Sequence, residues 1–415
     1  MDPLDHMHPT PAAWWRRSDL APVFPAYWQY LADQQYADHT RGVYIGCVAH
    51  FARWLTRRQR AACDLTDDDI RRFLDEHLSR CTCPPPVHRS RHRIRAALRH
   101  LLAVLRDAGR LVTPSVPDPV EDELHAFDDY MHRVRGLASN TRTQRLRILR
   151  PLLRDLAGSD GVAVPTLSAS ALRRFIAEQP PRCSPARARA LAGALRSYLR
   201  FRIGYGDQVS HLMPVIVSPA DWRLAPLPQV LSPTEVARLL TASAPDVPSA
   251  RRAYAVVRCA VDLGLRANEV AGLNLDDIDW SAGTIRIGPT KSRRVDVLPL
   301  PQATGRAIAA YLRSERPRTA NRRVFVRHVA PVDKPIGSDA VRHIIRKTYQ
   351  RCGLPHTRVH ILRHTLASRV LAAGGTLKEV ADVLRHRALD TSLIYAKVDT
   401  AHLSAVALPW PGSAP

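Results

Sequence analysis

The chain has 415 residues, of which 45% are hydrophobic and 24% are charged, so it is long enough for two or three domains with proper cores and is not a disordered polymer. Lys and Arg number 61 against 38 Asp and Glu, a formal net charge of +23. This excess predicts a polyanionic partner, and nucleic acid is favoured because each neutralised phosphate releases a counterion.

The sequence indicates neither secretion nor a membrane partner. No apolar stretch reaches the ~20 residues that a membrane span needs, and we find no lipidation motif and no secretory signal at the N-terminus. The seven cysteines are an odd number scattered along the chain, which argues against a disulfide framework. We therefore expect a cytoplasmic, nucleoid-associated protein of a bacterial type.

Two proline-rich stretches, at 114–119 and 214–228, predict linkers, because proline fixes φ and removes a backbone donor. They divide the chain into three segments: residues 1–113, 120–213 and 229–415.

The first two segments carry similar helical patterns in the same order. Thr40 and Thr141 open apolar stripes 101 residues apart, and the run 70–74 is answered by 172–176. Matches kept in order predict a duplicated all-helical domain, with chance similarity between apolar helices as the alternative. The arginines on the polar faces of these helices suit contacts with DNA phosphates.

The third segment begins with a helix start at Ser232, where Glu235 three residues later completes a capping box. Residues 284–287 and 295–298 alternate like strands, with a basic run between them. The pattern then returns to helix as far as Tyr395. We predict a mainly α segment with a small antiparallel sheet.

Four short stretches of the third segment concentrate groups that can handle phosphate. They are an arginine after a glycine turn, a lysine in the basic turn between the strands, a His-x-x-Arg-His run, and a histidine followed nine positions later by a tyrosine. The candidate site residues are Arg266, Lys291, His360, Arg363, His386 and Tyr395.

This order of residues resembles the signature of the tyrosine recombinases, the phage-integrase family. The resemblance covers residues 229 to about 400. The second segment resembles the family's helical core-binding domain, and the first lies outside the minimal family pattern. The resemblance implies a mainly α fold in which two SAM-like helical domains of core-binding type precede an α+β catalytic domain with a C-terminal tail.

The resemblance also implies a role for each residue. Tyr395 would be the nucleophile that forms a 3′-phosphotyrosyl link, which stores the bond energy and removes the need for ATP. Arg266 and Arg363 would grip the non-bridging oxygens in bidentate fashion, and Lys291 would protonate the leaving oxygen. No metal and no other cofactor is expected.

His360 and His386 would assist proton transfer and hydrogen-bond the phosphate, whereas His364 is expected to support the site without reacting. The family usually has glycine directly before the last histidine, and this chain has Arg385 there. If that position needs φ > 0, the arginine is strained and His386 is displaced; alternatively, Arg385 makes a further phosphate contact. Glu269 is expected to anchor its helix or to orient Arg266, and not to react.

We therefore expect a site-specific DNA recombinase that acts on double-stranded DNA as a homo-tetramer on two sites, alone or with related recombinases. The tail after Tyr395 would pack on a neighbouring protomer. One alternative is a type IB topoisomerase, which relaxes DNA with the same residue types. The other is a non-catalytic DNA-binding partner in a multi-recombinase transposition system.

A cluster of His77, Cys81, Cys83, His88 and His92 raises the question of zinc, which takes four tetrahedral ligands. The Cys-x-Cys spacing is tighter than usual for zinc, and the proline run that follows is typical of an ordinary loop. We therefore predict no metal site here, with zinc as the alternative.

Overall fold

The computed structural model describes residues 4, 7–111, 118–158, 161–178, 184–220, 227–243, 249–288, 295–356, 358–386 and 388–398. The α-helices of this part are, in chain order, α1 (Pro9–Arg16), α2 (Phe24–Asp33), α3 (Asp38–Arg57), α4 (Asp67–Arg72), α5 (Arg91–Asp107), α6 (Pro119–Asp129), α7 (Ser139–Asp155), α8 (Ala169–Ala177), α9 (Pro185–Gly204), α10 (Pro233–Thr241), α11 (Ala250–Asp262), α12 (Ala267–Gly272), α13 (Gln302–Ser314), α14 (Ser338–Arg351), α15 (His360–Ala372) and α16 (Leu377–Val383). The strands are β1 (Ala157–Gly158), β2 (Gly161–Val162), β3 (Ile278–Asp279), β4 (Thr284–Ile287) and β5 (Asp296–Pro299). The predicted fold class, mainly α with a small antiparallel sheet, is confirmed.

The chain forms two compact units, one of residues 1–111 together with 223–415 and the other of residues 112–222. The first unit contains a core built from α1 to α5, a core built around α11, α14 and the sheet, and a small core near the C-terminus. The second unit has one core. A 3₁₀ turn, Ser210–Val215, and the buried Ile216 carry that core past the predicted boundary at 213.

The helices of the two N-terminal segments repeat in the same order. Helices α3 and α7 begin 101 residues apart, at Asp38 and Ser139, so the predicted starts at Thr40 and Thr141 lie in their first turns. The short helices that follow, α4 and α8, are both capped at the N-terminus by a hydroxyl side chain. Long helices, α5 and α9, complete both sets, and the duplication stays a prediction.

The third segment begins as the sequence predicts. Ser232 Oγ accepts from the backbone N–H of Glu235, and the carboxylate of Glu235 accepts from the N–H of Ser232. The sheet has the order β3-β4-β5, and β4 pairs with β5 antiparallel, with Thr284 opposite Pro299 and Ile287 opposite Asp296. The two predicted strands are therefore confirmed within one residue. The basic run between them lies in 289–294, outside the described residues.

Among the described helices, none combines the length and the apolar character needed to cross a lipid bilayer.

Candidate active site

A glycine turn positions Arg266. Helix α11 ends at Asp262, and Gly264 adopts φ +58°, a left-handed conformation that favours glycine. A Cβ there would lie 2.9 Å from both Leu366 and Leu384, so the turn also depends on the missing side chain. Arg266 follows as the residue that precedes α12. The sequence motif around Arg266 is therefore a turn that delivers the arginine to the start of a helix.

Glu269 holds Arg266 in place. Its side chain is buried and accepts from the Arg266 backbone N–H at 2.8 Å and from Arg266 Nη1 at 2.7 Å. Burial alone raises the pKa of Glu269, but Arg385 and Arg266 outweigh burial and hold it below its usual value. The carboxylate is therefore ionised and orients Arg266, as the sequence predicts.

Arg363 lies on the first turn of α15 and is 5% exposed. Nη1 donates to the carbonyl of Gly264 at 2.6 Å, and Nη2 donates to the carbonyl of Leu384. A guanidinium has five N–H groups, so these two bonds leave three that can point to a ligand. Burial, together with Arg266 and Arg385, lowers the pKa of Arg363 to about 9, so the group stays charged at neutral pH.

Arg266 and Arg363 line the same cavity, which has a volume of about 250 Å³. His360 also lines this cavity, and Arg342 and Arg358 complete the basic lining. Partial burial and the surrounding arginines lower the pKa of His360. Four guanidinium groups around one small cavity indicate a site for an anion. A larger cavity of about 790 Å³, near Tyr254, contains none of the candidate residues.

Tyr395 lies in a 3₁₀ turn, Leu393–Val398, and packs in the small C-terminal core with 2% of its surface exposed. Its hydroxyl lies 2.8 Å from Nδ1 of His364. The ring of His386 is parallel to that of Tyr395, at 6.4 Å between centroids. Burial raises the pKa of Tyr395, and Arg363 and Arg266 act in the opposite direction, so the phenol lies within the field of both arginines.

Both histidines beside Tyr395 are neutral at pH 7. Burial, followed by His360 and Arg363, lowers the pKa of His364 to about 4. Burial and the nearby arginines likewise lower the pKa of His386 to about 4. Nδ1 of His386 lies 2.6 Å from Oγ of the buried Ser392. A neutral imidazole has one lone pair, so His364 can accept a hydrogen bond from the Tyr395 hydroxyl.

Arg385 takes the left-handed conformation that its position suggested, with φ +55°. The side chain turns inward, its surface only 3% exposed, and Nη2 donates to Glu269 at 2.6 Å. One carboxylate therefore joins Arg385 from the C-terminal part to Arg266 from α12. His386 is not displaced, since it lies against Tyr395. Nε of Arg385 is buried and has no hydrogen-bond partner among the described residues.

The structure brings five of the six candidate residues together, and the sixth, Lys291, lies outside the described residues. Sequence reasoning placed His364 in a supporting role and did not foresee its contact with Tyr395. The adjacent Arg363 was the available signal, because both residues lie near the start of the same helix and can therefore reach the same site. The pairing of Arg385 with Glu269 could not be found from spacing, since 116 positions separate them.

Two family models match this chain. The phage integrase family matches residues 229–402, and the phage integrase N-terminal SAM-like domain matches residues 24–109. The second match falls on the first segment, so the SAM-like fold expected there is confirmed, and the expectation that this segment lies outside the minimal family pattern is wrong. The helical pattern of 24–109 was visible in the sequence, but the catalytic motifs that carried the resemblance lie elsewhere.

Solved structures share the fold. The XerH site-specific recombinase, bound to palindromic difH substrate in a post-cleavage complex, aligns with a TM-score of 0.52 at 17% identity, over 72% of this chain and 98% of that one. A lambda integrase dimer bound to a core site aligns with a TM-score of 0.52 at 13% identity, over 66% of this chain and 94% of that one.

Two sequence relatives cover 69% and 93% of this chain. The tyrosine recombinase XerC of Stutzerimonas stutzeri is 28% identical, over 69% of this chain and 95% of the relative. The integrase/recombinase y4rA of Sinorhizobium fredii is 35% identical, over 93% of both chains. With the catalytic and SAM-like matches and the arginine-lined site, this similarity shows that the chain is an enzyme of the phage integrase family, a tyrosine recombinase.

Proposed function

We propose that this protein is a site-specific DNA recombinase that cleaves and rejoins strands through a 3′-phosphotyrosyl intermediate, without metal or ATP. The observation that carries the proposal is the contact between the Tyr395 hydroxyl and His364, next to a cavity lined by guanidinium groups. A phenol with a neutral base beside it and fixed positive charge nearby is what a phosphodiester cleavage by tyrosine requires.

The scissile phosphate occupies the cavity of Arg266, His360 and Arg363. The remaining N–H groups of Arg363 bind the non-bridging oxygens, together with Arg266, which Glu269 holds in place. The two arginines stabilise the phosphorane more than the ground state, because their N–H donors are already oriented towards the charge that develops and need no reorganisation.

Proton transfer completes the step. Oη of Tyr395 forms a bond to phosphorus while the bond from phosphorus to the 5′ oxygen breaks, and the phenolic proton passes to Nδ1 of His364. Lys291 donates a proton to the departing 5′ oxygen. His386, next to the tyrosine ring, hydrogen-bonds the phosphate. The reverse sequence, with a new 5′ hydroxyl as the attacking group, rejoins the strand.

Double-stranded DNA is the substrate, and its backbone contacts the basic helices. Arginines on the outward face of α5, at positions 91, 93, 95 and 99, are all exposed, as phosphate contacts require. Four copies of this chain act on two sites, alone or with related recombinases, in the cytoplasm at the nucleoid. The XerH and lambda integrase structures, which are complexes with DNA, support this part by analogy of fold.

The decisive experiment is covalent trapping on a nicked suicide substrate that contains a DNA site bound by this protein. The wild-type chain should form a protein–DNA adduct, and Tyr395→Phe should form none while it retains DNA binding. Tyr205→Phe, at an exposed tyrosine, is the matched control and should form the adduct. Absence of an adduct with the wild-type chain would leave a non-catalytic DNA-binding partner as the correct interpretation.

A two-site plasmid separates recombination from the topoisomerase alternative. Exchange products support the proposal, whereas relaxation without exchange supports a type IB topoisomerase.

Lys291→Ala tests the general acid by its rate of strand cleavage. It should slow cleavage by about 10²-fold or more with little change in DNA affinity, and a proportional loss of both would make Lys291 only a phosphate contact.

A further inference from the structure

Four potential metal ligands converge in the first helical segment, far along the chain from the catalytic motifs. They are His50, His77, Cys81 and Cys83, and their donor atoms all lie within 4.8 Å of one another. His50 comes from the middle of α3 and is fully buried. The cluster that was identified from the sequence did not include His50, because this residue lies 27 positions before the next ligand, His77.

Three of the separations between donor atoms fit a single tetrahedral ion. Nε2 of His50 and Nε2 of His77 are 3.1 Å apart, Sγ of Cys81 is 3.3 Å from Nε2 of His50, and Sγ of Cys83 is 3.7 Å from Nε2 of His77. Bonds of about 2.0–2.1 Å to nitrogen and about 2.3 Å to sulfur at tetrahedral angles separate two nitrogens by about 3.3 Å and a nitrogen from a sulfur by about 3.6 Å.

Hydrogen bonds alone do not account for this convergence. Nδ1 of His50 lies 3.1 Å from the carbonyl oxygen of His88, and a carbonyl only accepts, so His50 carries its proton on Nδ1. Its Nε2 therefore has one lone pair, and both His77 and Cys81 approach it. A cation at the centre satisfies all the donor atoms at once. The contact from Nδ1 to a backbone carbonyl is also the one that histidine ligands of zinc make.

The duplicated fold provides an internal comparison. At the offset of 101 that relates α3 to α7, the partner of His50 is Pro151, which lies inside α7. Neighbouring core positions keep their apolar character, since Val48 and Phe51 correspond to Leu149 and Leu152, and all four are buried. The helical fold therefore forms without the cluster, and the four ligands are a property of the first segment.

We propose that His50, His77, Cys81 and Cys83 form a structural zinc site. Two nitrogen and two sulfur ligands in a closed tetrahedron are typical of structural zinc, and two thiolates neutralise the charge of the ion. The ion would join α3 to the stretch between Arg80 and Arg91, which has little regular structure of its own.

Metal analysis of the purified full-length chain tests the proposal. We expect about one equivalent of zinc per chain, with loss of most of it in Cys81→Ser and in Cys83→Ser. Cys63→Ser is the matched control, since Cys63 is half-buried in the same segment and outside the cluster, and it should retain the metal. Wild-type protein without zinc after growth in zinc-supplemented medium, or equal retention by all three variants, would overturn the proposal.

Cobalt(II) keeps the test valid if the serine variants do not fold. Wild-type chain stripped with a chelator and titrated with Co²⁺ should develop the intense visible bands of a tetrahedral ion together with thiolate-to-metal charge transfer, and added zinc should remove both. A weak octahedral spectrum without charge transfer would contradict the site, as would a disulfide between Cys81 and Cys83 in freshly purified protein.

Discussion

Histidine pairs lie in two buried clusters of this chain, His364 with His386 at the active site and His50 with His77 in the first helical segment. Burial lowers the pKa of His50, His364 and His386 to about 4, so the imidazoles are chemically alike at pH 7. Arginines act on both pairs, Arg363 on the first and Arg53 on the second, but the second pair also contacts two cysteine sulfurs. The two sulfurs, rather than the histidines, therefore distinguish the proposed metal site from the proposed phosphate site.

Removing the negative charge from the arginine cluster should have the largest effect. Glu269→Gln leaves Arg385 buried without a counter-charge and should lower the free energy of unfolding by about 3–5 kcal/mol, measured by urea denaturation. Adding Arg385→Gly removes both the buried charge and the left-handed arginine, and should restore most of the loss. If Glu269→Gln alone has a free energy of unfolding within about 1 kcal/mol of wild type, the shared carboxylate does not stabilise the fold.

Changing the shape of the anion-binding group without changing its charge should have the next largest effect. Arg363→Lys keeps one positive charge but loses the planar fork and the two bonds to backbone carbonyls, so single-turnover cleavage of a suicide substrate should slow by about 10²–10³-fold. Arg369→Lys, at an exposed position of the same helix, is the control and should cleave normally. Equal rates for both variants would remove Arg363 from the phosphate site.

His364→Gln separates the two uses of a neutral imidazole at the active site. Glutamine can accept a hydrogen bond from the Tyr395 hydroxyl but cannot take its proton at neutral pH. We expect cleavage to slow by about 10²-fold with DNA affinity unchanged. Retention of the wild-type rate would show that His364 positions the tyrosine and that another base accepts the proton.

Acidification should produce the smallest effect per residue. The folded pKa values of about 4 for His364 and His386 lie below the ordinary value of 6.5, so the unfolded chain binds more protons between these limits. Their contribution to stability is therefore complete above about pH 6.5 and is lost as the pH falls towards about 4. The slope of the free energy of unfolding against pH should fall in His386→Gln by the equivalent of at most about one proton. His343→Gln, at an exposed position, is the control and should leave this slope unchanged.

Local signals predicted much of this molecule. The capping box at Ser232 and the alternation of 284–287 depend on neighbouring residues, and both are confirmed. The contacts that complete each cluster depend on tertiary structure instead. His50 reaches the cysteines from a helix more than 25 positions away, and Glu269 meets Arg385 across 116 positions, so no spacing rule could reveal either pairing.

The salt bridge from Arg385 to Glu269 also has a consequence for exchanging parts with relatives. A C-terminal piece with glycine at position 385 would remove the Arg385 partner of Glu269, whereas this chain's own C-terminal piece brings a cation that needs an acid to receive it. Chimeras that cross over between α12 and α16 should therefore work only when both positions come from the same parent. One ion pair, between Glu269 and Arg385, therefore makes the early and late parts of this segment depend on each other.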